Sequence, residues 1–369
     1  MHVLVTADTI GGVWTYTREL VTGLVRRGVR VTLVSLGEIP SPQQIQWMDG
    51  LRGLNFRPTA FRLEWMQDAE EDLAASTEYL LSVIAEEKPD LLHLNQFCYG
   101  SLAVEIPRIV VAHSDVTSWW VSVHGDMPRD TAWYRWYRET LVDGISRAST
   151  VVAPSKWMLD QIGCYYGRPA HTAVIYNGRN PGLFNPHGTK EDLVASVGRL
   201  WDGGKQIGLL SRYEHAVPIY IAGPEKHAEE SLRKSFPALP ERKSVHFQGT
   251  LSEGQLSQLL SRASMYAATS RYEPFGLAPL ETALSRCAIV ANDIPSLREI
   301  WGSAALYFRT NDALELAGAI EKLNRDRELR LTYANLAYNR ARQRYTAERM
   351  VDDYISLYDS VVPAGAAVA

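Results

Sequence analysis

Short apolar runs alternate with longer amphipathic stretches along most of this chain of 369 residues. The apolar run Val3–Ala7 comes first. It is followed by Gly11-Gly12 and by apolar residues at helical spacing, namely Val13, Tyr16, Leu20 and Leu24. A second apolar run, 29–35, completes a unit of strand, helix and strand. Because strands joined by a crossover helix lie parallel, the pattern predicts an α/β fold with a parallel sheet covered by helices.

The same alternation recurs throughout the chain and is interrupted once. Further strands are predicted at 90–94, 109–113, 150–153, 172–175, 194–198, 219–222, 245–247, 265–269, 288–291 and 305–308. Between the fourth and fifth of these, residues 177–188 are dense in Asn, Gly and Pro, which indicates a linker between two domains. Thr346 is a plausible cap for a last helix with an apolar stripe formed by Met350, Tyr354, Leu357 and Val361.

Composition excludes several classes of protein. The net charge of −4 gives no support for bulk nucleic-acid binding, and no apolar run approaches the roughly 20 residues of a membrane helix. The three cysteines are far apart and lack metal-ligand spacing, which suits a reducing compartment. Val3–Ala7 is too short for the apolar core of a signal peptide. We expect a cytoplasmic protein, with peripheral contact at the inner membrane face left open.

The residues best suited to bind a ligand or take part in catalysis are concentrated in the segment Glu273-Pro-Phe-Gly-Leu-Ala-Pro-Leu-Glu281. Pro279 suits the first turn of a helix, where its missing N–H costs nothing, and this position puts Glu281 in the first turn as well. The backbone amides near Gly276 and Leu277 are then free to point at an anion. Two carboxylates on either side of an amide cradle fit a nucleotide-sugar site.

This segment resembles the Glu-seven-residues-Glu signature of retaining glycosyltransferases with the GT-B fold, family four in particular. Further similar segments are Gly11-Gly12, Tyr176-Asn-Gly178, Gly198-Arg199 with Lys205, and 288–299. The resemblance implies two doubly wound, Rossmann-like domains that face each other across a cleft, with the last helix crossing back to the first domain. The implied domains are an acceptor-binding domain, 1–177 plus 345–369, and a nucleotide-sugar-binding domain, 178–344.

The resemblance also implies roles in the second domain. Glu281 would accept hydrogen bonds from the donor ribose, while Glu273 would lie near the transferred sugar. Arg199 and Lys205 would bind the diphosphate and stabilise the charge that builds on it as it leaves. Gly276 and Leu277 would contribute amides to the donor site. No Asp-x-Asp motif occurs in the chain and no His/Cys cluster has zinc spacing, so neither a metal nor another cofactor is expected.

In the first domain, Gly12 would lie close to the donor phosphate. A histidine after a strand would lie beside the donor sugar. His113 is preferred for this position, and His124 competes because it also follows a short apolar run. Acceptor-binding candidates are Trp119, Trp120 and His124. For the aromatic cluster 133–138, three interpretations stay open: an acceptor platform, an interfacial membrane patch, and core packing.

The chain departs from the family pattern after Glu281. Arg286 and Ala288 stand where the family often has Gly and Pro. If the turn there requires a positive φ, Arg286 would be strained.

The function implied is a retaining, metal-independent transfer of a sugar from a nucleotide diphosphate sugar to an acceptor hydroxyl. A UDP-sugar is favoured and a GDP-sugar stays open, and the acceptor is a glycan, a lipid-linked sugar or a small molecule. Two alternatives remain: a non-hydrolysing sugar-nucleotide epimerase, and an inactive glycan-binding or partner module of the same fold.

Overall fold

The computed structural model describes residues 1–225 and 241–362, which form two compact units. The first unit contains Met1–Val121, Asp126–Gly178 and the C-terminal segment from Ala347 onward. The second contains Arg179–Thr346 together with the short segment Ser122–Gly125. Of the predicted first domain, residues 363–369 lie outside the described part of the chain.

Both units are built on parallel strands. Those of the first unit are β1 (His2–Asp8), β2 (Arg30–Leu36), β3 (Leu54–Pro58), β4 (Leu91–Leu94), β5 (Arg108–Val111), β6 (Thr150–Ala153) and β7 (Thr172–Val174). Those of the second are β8 (Glu191–Val197), β9 (Ile219–Ala222), β10 (Val245–Phe247), β11 (Ala263–Ala268), β12 (Ala288–Asn292) and β13 (Leu306–Phe308).

Helices connect these strands. In the first unit and its boundary they are α1 (Gly12–Arg26), α2 (Pro42–Ile45), α3 (Glu70–Glu87), α4 (Val116–His124), α5 (Ala132–Arg147) and α6 (Lys156–Tyr166). The later helices of the described residues are α7 (Glu253–Arg262), α8 (Leu277–Leu284), α9 (Pro295–Trp301), α10 (Ala313–Arg325), α11 (Arg327–Arg344) and α12 (Ala347–Val361). Short 3₁₀ helices lie at Gln46–Met48, Cys98–Ser101, Pro181–Leu183, Ile207–Ser211 and Gly302–Ala304.

The two sheets share one strand order. The first runs β3-β2-β1-β4-β5-β6-β7, and the second runs β10-β9-β8-β11-β12-β13. In each sheet the order reverses beside the first strand, between β1 and β4 and between β8 and β11. Such reversal points in doubly wound sheets open a crevice at the carboxyl ends of the strands, where ligands bind. Each unit is therefore a doubly wound, Rossmann-like domain, as predicted.

One strand of the first sheet escaped the sequence-based prediction. Strand β3 (Leu54–Pro58) pairs with β2 at the edge of the sheet, and none of its residues is buried. It ends in a proline and lacks the continuous apolar run that marks the central strands, because an edge strand has fewer neighbours to pack against. The bounds of the other strands differ from the prediction by a few residues at most.

The last helix belongs to the first unit. Helix α12 packs its buried residues Met350, Val351, Tyr354 and Tyr358 into the same apolar cluster as the strands β1 and β2. Leu357 of the predicted stripe packs against this cluster but is only partly buried, whereas Tyr358, which the stripe did not include, is fully buried. The Tyr358 hydroxyl lies 2.7 Å from Nδ1 of His93, a fully buried histidine on β4. Burial lowers the pKa of His93 to about 3, so this ring is neutral at ordinary pH.

None of the helices in the described residues combines the length and the apolar character needed to cross a bilayer. Peripheral membrane contact stays a prediction.

The turn after α8 does require a positive φ. Arg286 has φ 59°, and its amide donates to the Ala283 carbonyl at 2.9 Å, which closes the helix end. The guanidinium lies 4.9 Å from the centre of the Tyr338 ring. Ala288, which stands at the family's proline position, is the first residue of β12. The sequence departure therefore places a side chain in a backbone conformation that favours glycine.

Replacing Arg286 with glycine is expected to stabilise the chain relative to Arg286→Ala by about 1 kcal/mol, because only glycine adopts this φ without a steric cost. Both variants lose the contact with Tyr338, so their difference isolates the backbone effect. The unfolding free energy of the wild type should lie between those of the two variants. Its contact between the Arg286 guanidinium and the Tyr338 ring offsets roughly 0.5–1 kcal/mol of the backbone strain. Urea unfolding of the three proteins measures the order. Equal stability of the two variants would show that the turn carries no strain.

Candidate active site

The first element of the site is the loop that follows β8. Arg199 lies just beyond the end of this strand, and its guanidinium is 2.7 Å from Oδ2 of Asp202 and 5.1 Å from the Trp201 ring. The Arg199 side chain is 42% exposed, so the cation faces solvent on one side. The amide of Gly204 donates to the other Asp202 oxygen at 2.8 Å. The loop therefore folds around one buried carboxylate that orients Arg199.

Asp202 is ionised in this setting. Burial alone would raise the pKa of its carboxyl group, but the charges of Arg199 and Lys205, together with the hydrogen bonds from the Gly204 amide and Arg199, hold the pKa below its ordinary value. Sequence reasoning did not identify this residue. Its position between the two predicted phosphate-binding cations was the available signal, because an acidic side chain there can balance their charge and accept a hydrogen bond from a buried amide of the loop.

Lys205 and Glu273 come together, although 68 residues separate them in the chain. The Lys205 ammonium is 2.7 Å from Oε2 of Glu273, and the Ser270 hydroxyl donates to the same oxygen at 2.9 Å. The backbones of the two loops are also joined. The Thr269 hydroxyl donates to the Lys205 carbonyl at 2.8 Å, and the Arg271 amide donates to Gly204. The reversal point between β8 and β11 thus becomes one rigid, charged surface.

Helix α8 begins at this surface. Gly276 precedes it with φ 91°, and no side chain caps its first turn. A Cβ on Gly276 would lie 3.1 Å from Cγ of Glu273, so the backbone approaches this carboxylate more closely than a side chain would allow. The amides of Gly276 and Leu277 therefore lie at an uncapped helix N-terminus, which is a ready anion-binding position.

Glu281 occupies a different position in α8 from the predicted one. The helix starts at Leu277, so Pro279 is its third residue and Glu281 its fifth, one turn further in than expected. The prediction was wrong because Pro279 is allowed anywhere in the first turn and does not mark the first residue. Glu281 is 8% exposed, and its Oε1 lies 2.9 Å from Nε of Arg179.

The predicted residues of the first unit lie at the carboxyl edge of its sheet. Gly12 is exposed and is the first residue of α1, just after β1. His113 follows β5, and its Nε2 is 2.8 Å from Oδ1 of Asn95. Since the Asn95 amide nitrogen donates to the Thr6 carbonyl, its oxygen must accept from His113. Burial lowers the pKa of His113 well below its ordinary value, so the neutral ring carries its proton on Nε2.

His124 does not follow a strand. The short apolar run before it belongs to α4, and His124 is the exposed last residue of that helix. The expectation that it shares the strand-end position of His113 is wrong, because so short an apolar run cannot distinguish a helix from a strand. Trp119 and Trp120 lie on the same helix, partly buried, with their ring centres 6.4 Å apart. Their role in acceptor binding stays a prediction.

Much of the aromatic cluster 133–138 contributes to core packing. Tyr134 and Tyr137 are buried in the first unit, and Trp133 stacks on Tyr137 with ring centres 5.6 Å apart. The Trp133 indole donates to the Met66 carbonyl at 3.0 Å.

Among the residues that the structure describes, no group of three His, Cys, Asp or Glu side chains is arranged to hold a metal ion.

Two protein families match the chain, one in each half. The family described as "Glycosyltransferase Family 4" matches residues 10–183, and "Glycosyl transferases group 1" matches residues 185–340. The chain belongs to the family-four glycosyltransferases. This glycosyltransferase is 23% identical to an uncharacterized glycosyltransferase of Methanocaldococcus jannaschii, over 95% of this chain and 94% of the relative. It is 27% identical to the lipopolysaccharide core biosynthesis mannosyltransferase LpcC of Rhizobium leguminosarum bv. viciae, over 63% and 69% of the two chains.

Solved structures agree with the fold. Sucrose-phosphate synthase from Thermosynechococcus elongatus superposes on the glycosyltransferase with a TM-score of 0.75 at 17% identity, covering 98% of both chains. HepE of Anabaena, solved in complex with UDP-glucose, gives a TM-score of 0.74 at 18% identity, covering 98% of this chain and 100% of HepE. At these identities the likeness shows the architecture of the enzyme and not its substrates.

Proposed function

We propose that this glycosyltransferase moves a sugar, with retention of the anomeric configuration and without a metal, from a UDP-sugar to an acceptor hydroxyl. The second unit binds the donor, and the first unit binds the acceptor. A GDP-sugar is the other donor that the same diphosphate chemistry would accept.

The observation that carries the proposal is the charged edge of the second sheet. Two cations, Arg199 and Lys205, and the uncapped N-terminus of α8 are held there by loops that bond to one another. A diphosphate presents several negative oxygens, which suit fixed cations and helix-end amides together. Such groups are held in place before the reaction, so they stabilise the charge of the leaving diphosphate without reorganising.

The proposed reaction breaks the bond between the sugar C1 and the β-phosphate oxygen, and forms a bond from the acceptor oxygen to C1 on the same face. The proton of the acceptor hydroxyl goes to the leaving diphosphate oxygen. We do not assign Glu273 as a nucleophile; its Oε2 accepts hydrogen bonds from Lys205 and Ser270, which hold the carboxylate in place. Its better-fitting role is to bind sugar hydroxyls and balance the positive charge that develops on the ring.

The preference for UDP is supported by a neighbour of the same fold. HepE of Anabaena was crystallised with UDP, with UDP and glucose, and with UDP-glucose. The absence of a metal requirement is proposed because Arg199 and Lys205 supply two positive charges where a divalent cation would otherwise neutralise the diphosphate.

A thermal-shift panel tests this proposal. The purified chain is heated with UDP, GDP, ADP and TDP and with their common sugar conjugates, each with and without EDTA. A ligand present at 100 times its Kd stabilises the folded state by about 2.7 kcal/mol, which raises Tm measurably. We expect a shift with UDP and UDP-sugars that EDTA leaves unchanged.

Each part of the proposal can fail separately. No shift with any nucleotide would overturn the donor site in the second unit. A shift that EDTA abolishes would overturn metal independence, and a shift with GDP alone would overturn the choice of donor. Product formed from the selected donor and a panel of glycosides is then assigned as α or β by NMR, and inversion at C1 would refute retention. Conversion of the donor in the absence of any acceptor would indicate an epimerase instead.

A further inference from the structure

The second unit begins with a deeply buried cation. Arg179 directly follows Gly178, where the segment Asp126–Gly178 of the first unit ends, and only 2% of its surface is exposed. Its amide donates to the Tyr345 carbonyl at 3.1 Å, and it forms an isolated parallel bridge with Thr346. These contacts anchor the backbone at Arg179 to the segment Tyr345–Thr346.

The Arg179 guanidinium contacts two carboxylates. Its Nε is 2.9 Å from Oε1 of Glu281, and its Nη2 is 2.7 Å from Oε1 of Glu253. The Glu281 side chain is 10% exposed, whereas that of Glu253 is 44% exposed. The ring of Phe184 covers the guanidinium at 5.3 Å. A buried cation needs a closely placed counter-charge, and Glu281 is the partner that shares its buried environment.

The planar guanidinium is a rigid group, so its contact with Oε1 restricts the rotation of the Glu281 carboxylate. An acid that binds two neighbouring hydroxyls must present its oxygens in a defined direction, because each hydrogen bond weakens steeply with misalignment. Arg179 also balances the charge of Glu281, which an apolar neighbour at that position would leave uncompensated.

We infer that Arg179 is a positioning residue for nucleotide recognition, holding Glu281 in the orientation in which it binds the ribose hydroxyls of the donor. The inference rests on the proposed function, since it requires a nucleotide in the second unit. Nothing in the pattern of the chain indicated this residue, because the glycine and asparagines around it marked the segment only as a linker.

The test measures the dissociation constants of UDP and of 2′,3′-dideoxy-UDP for the wild type and for Arg179→Met. If the nucleotide panel selects GDP, the corresponding pair of guanosine nucleotides is used. Methionine keeps most of the side-chain volume and removes the charge. We expect Arg179→Met to weaken UDP binding about tenfold, because the hydrogen bonds from the ribose hydroxyls to a displaced carboxylate are lost. The dideoxy nucleotide lacks those hydroxyls, so its affinity should hardly change.

Glu253→Gln is the matched control. It removes the charge of the exposed partner of Arg179 and leaves the contact with Glu281 in place, so UDP binding should change less than about twofold. Arg179→Lys keeps the charge without the rigid fork and should fall between the wild type and Arg179→Met. Circular dichroism at the assay temperature shows whether each variant is folded, and the lysine variant keeps the test valid if the methionine variant unfolds.

A double-mutant cycle separates positioning from general structural damage. In a Glu281→Gln background, Arg179→Met should weaken UDP binding no further if Arg179 acts through Glu281. Equal losses in both backgrounds, or equal losses for UDP and its dideoxy analogue, would overturn the inference while the proposed function stands. Failure of the wild type to bind any nucleotide would instead overturn the proposed function itself.

Discussion

Replacing Lys205 with alanine is expected to reduce the turnover number by about 10²–10³-fold, because one fixed cation is lost where charge builds on the leaving diphosphate. The donor Kd should rise much less, since the interaction strengthens as the bond to the sugar breaks. The loop itself should keep its shape. The Thr269 hydroxyl binds the carbonyl of residue 205, and the Ser270 hydroxyl continues to bind Glu273.

Lys243→Ala provides the control for Lys205→Ala. Lys243 is an exposed lysine of the same unit that lies just before β10, at the opposite edge of the sheet. The Lys243→Ala substitution removes one positive charge, as Lys205→Ala does, but leaves the proposed donor site unchanged. Initial rates at saturating donor and isothermal titration with the nucleotide separate turnover from binding. A Lys205→Ala enzyme with near-normal turnover would refute the assignment of this residue to the diphosphate.

Replacing Gly144 with alanine is expected to destabilise the first unit by about 3 kcal/mol or more, which is enough to unfold a marginally stable domain. A Cβ at this position in α5 would lie 1.9 Å from the carbonyl oxygen of Phe97. The backbone at Phe97 cannot move away easily, because its amide donates to the buried carboxylate of Glu64 at 2.9 Å. On the facing 3₁₀ helix, a Cβ on Gly100 would lie 2.2 Å from the Gly144 carbonyl oxygen.

Gly163→Ala is the control for this substitution. Gly163 also lies inside a helix of the first unit, but a Cβ there would meet only the flexible Arg168 side chain, at 3.4 Å. Its replacement should stabilise the chain by roughly 0.5–1 kcal/mol, because alanine favours helix interiors. Urea unfolding of both variants gives the comparison. A Gly144→Ala protein as stable as Gly163→Ala would show that the close approach of α5 and the 3₁₀ helix is relaxed in solution.

The features that the sequence predicted well are those that depend on local order along the chain. Alternating apolar runs and amphipathic stretches specify a parallel sheet, because a crossover helix can return the chain to the sheet in essentially one way. The loops that follow β8 and β11 carry Arg199, Lys205 and Glu273, and parallel strands bring their carboxyl ends to one edge. Short-range patterns were therefore sufficient to predict the fold and the family, and they supplied Arg199, Lys205 and Glu273 for the donor site that we propose.

Other features depend on contacts between residues far apart in the chain, and only the tertiary structure decided them. Strand β3 forms because its backbone pairs with β2, which would otherwise be the edge strand of the sheet. Tyr358 is buried where its hydroxyl meets the ring of His93. Asp202 is ionised because two cations surround it, and Arg179 is set against Glu281, 102 residues further along the chain. Periodicity reports which face of an element is apolar. It does not report which partner meets that face, and burial and the pairing of charges depend on that partner.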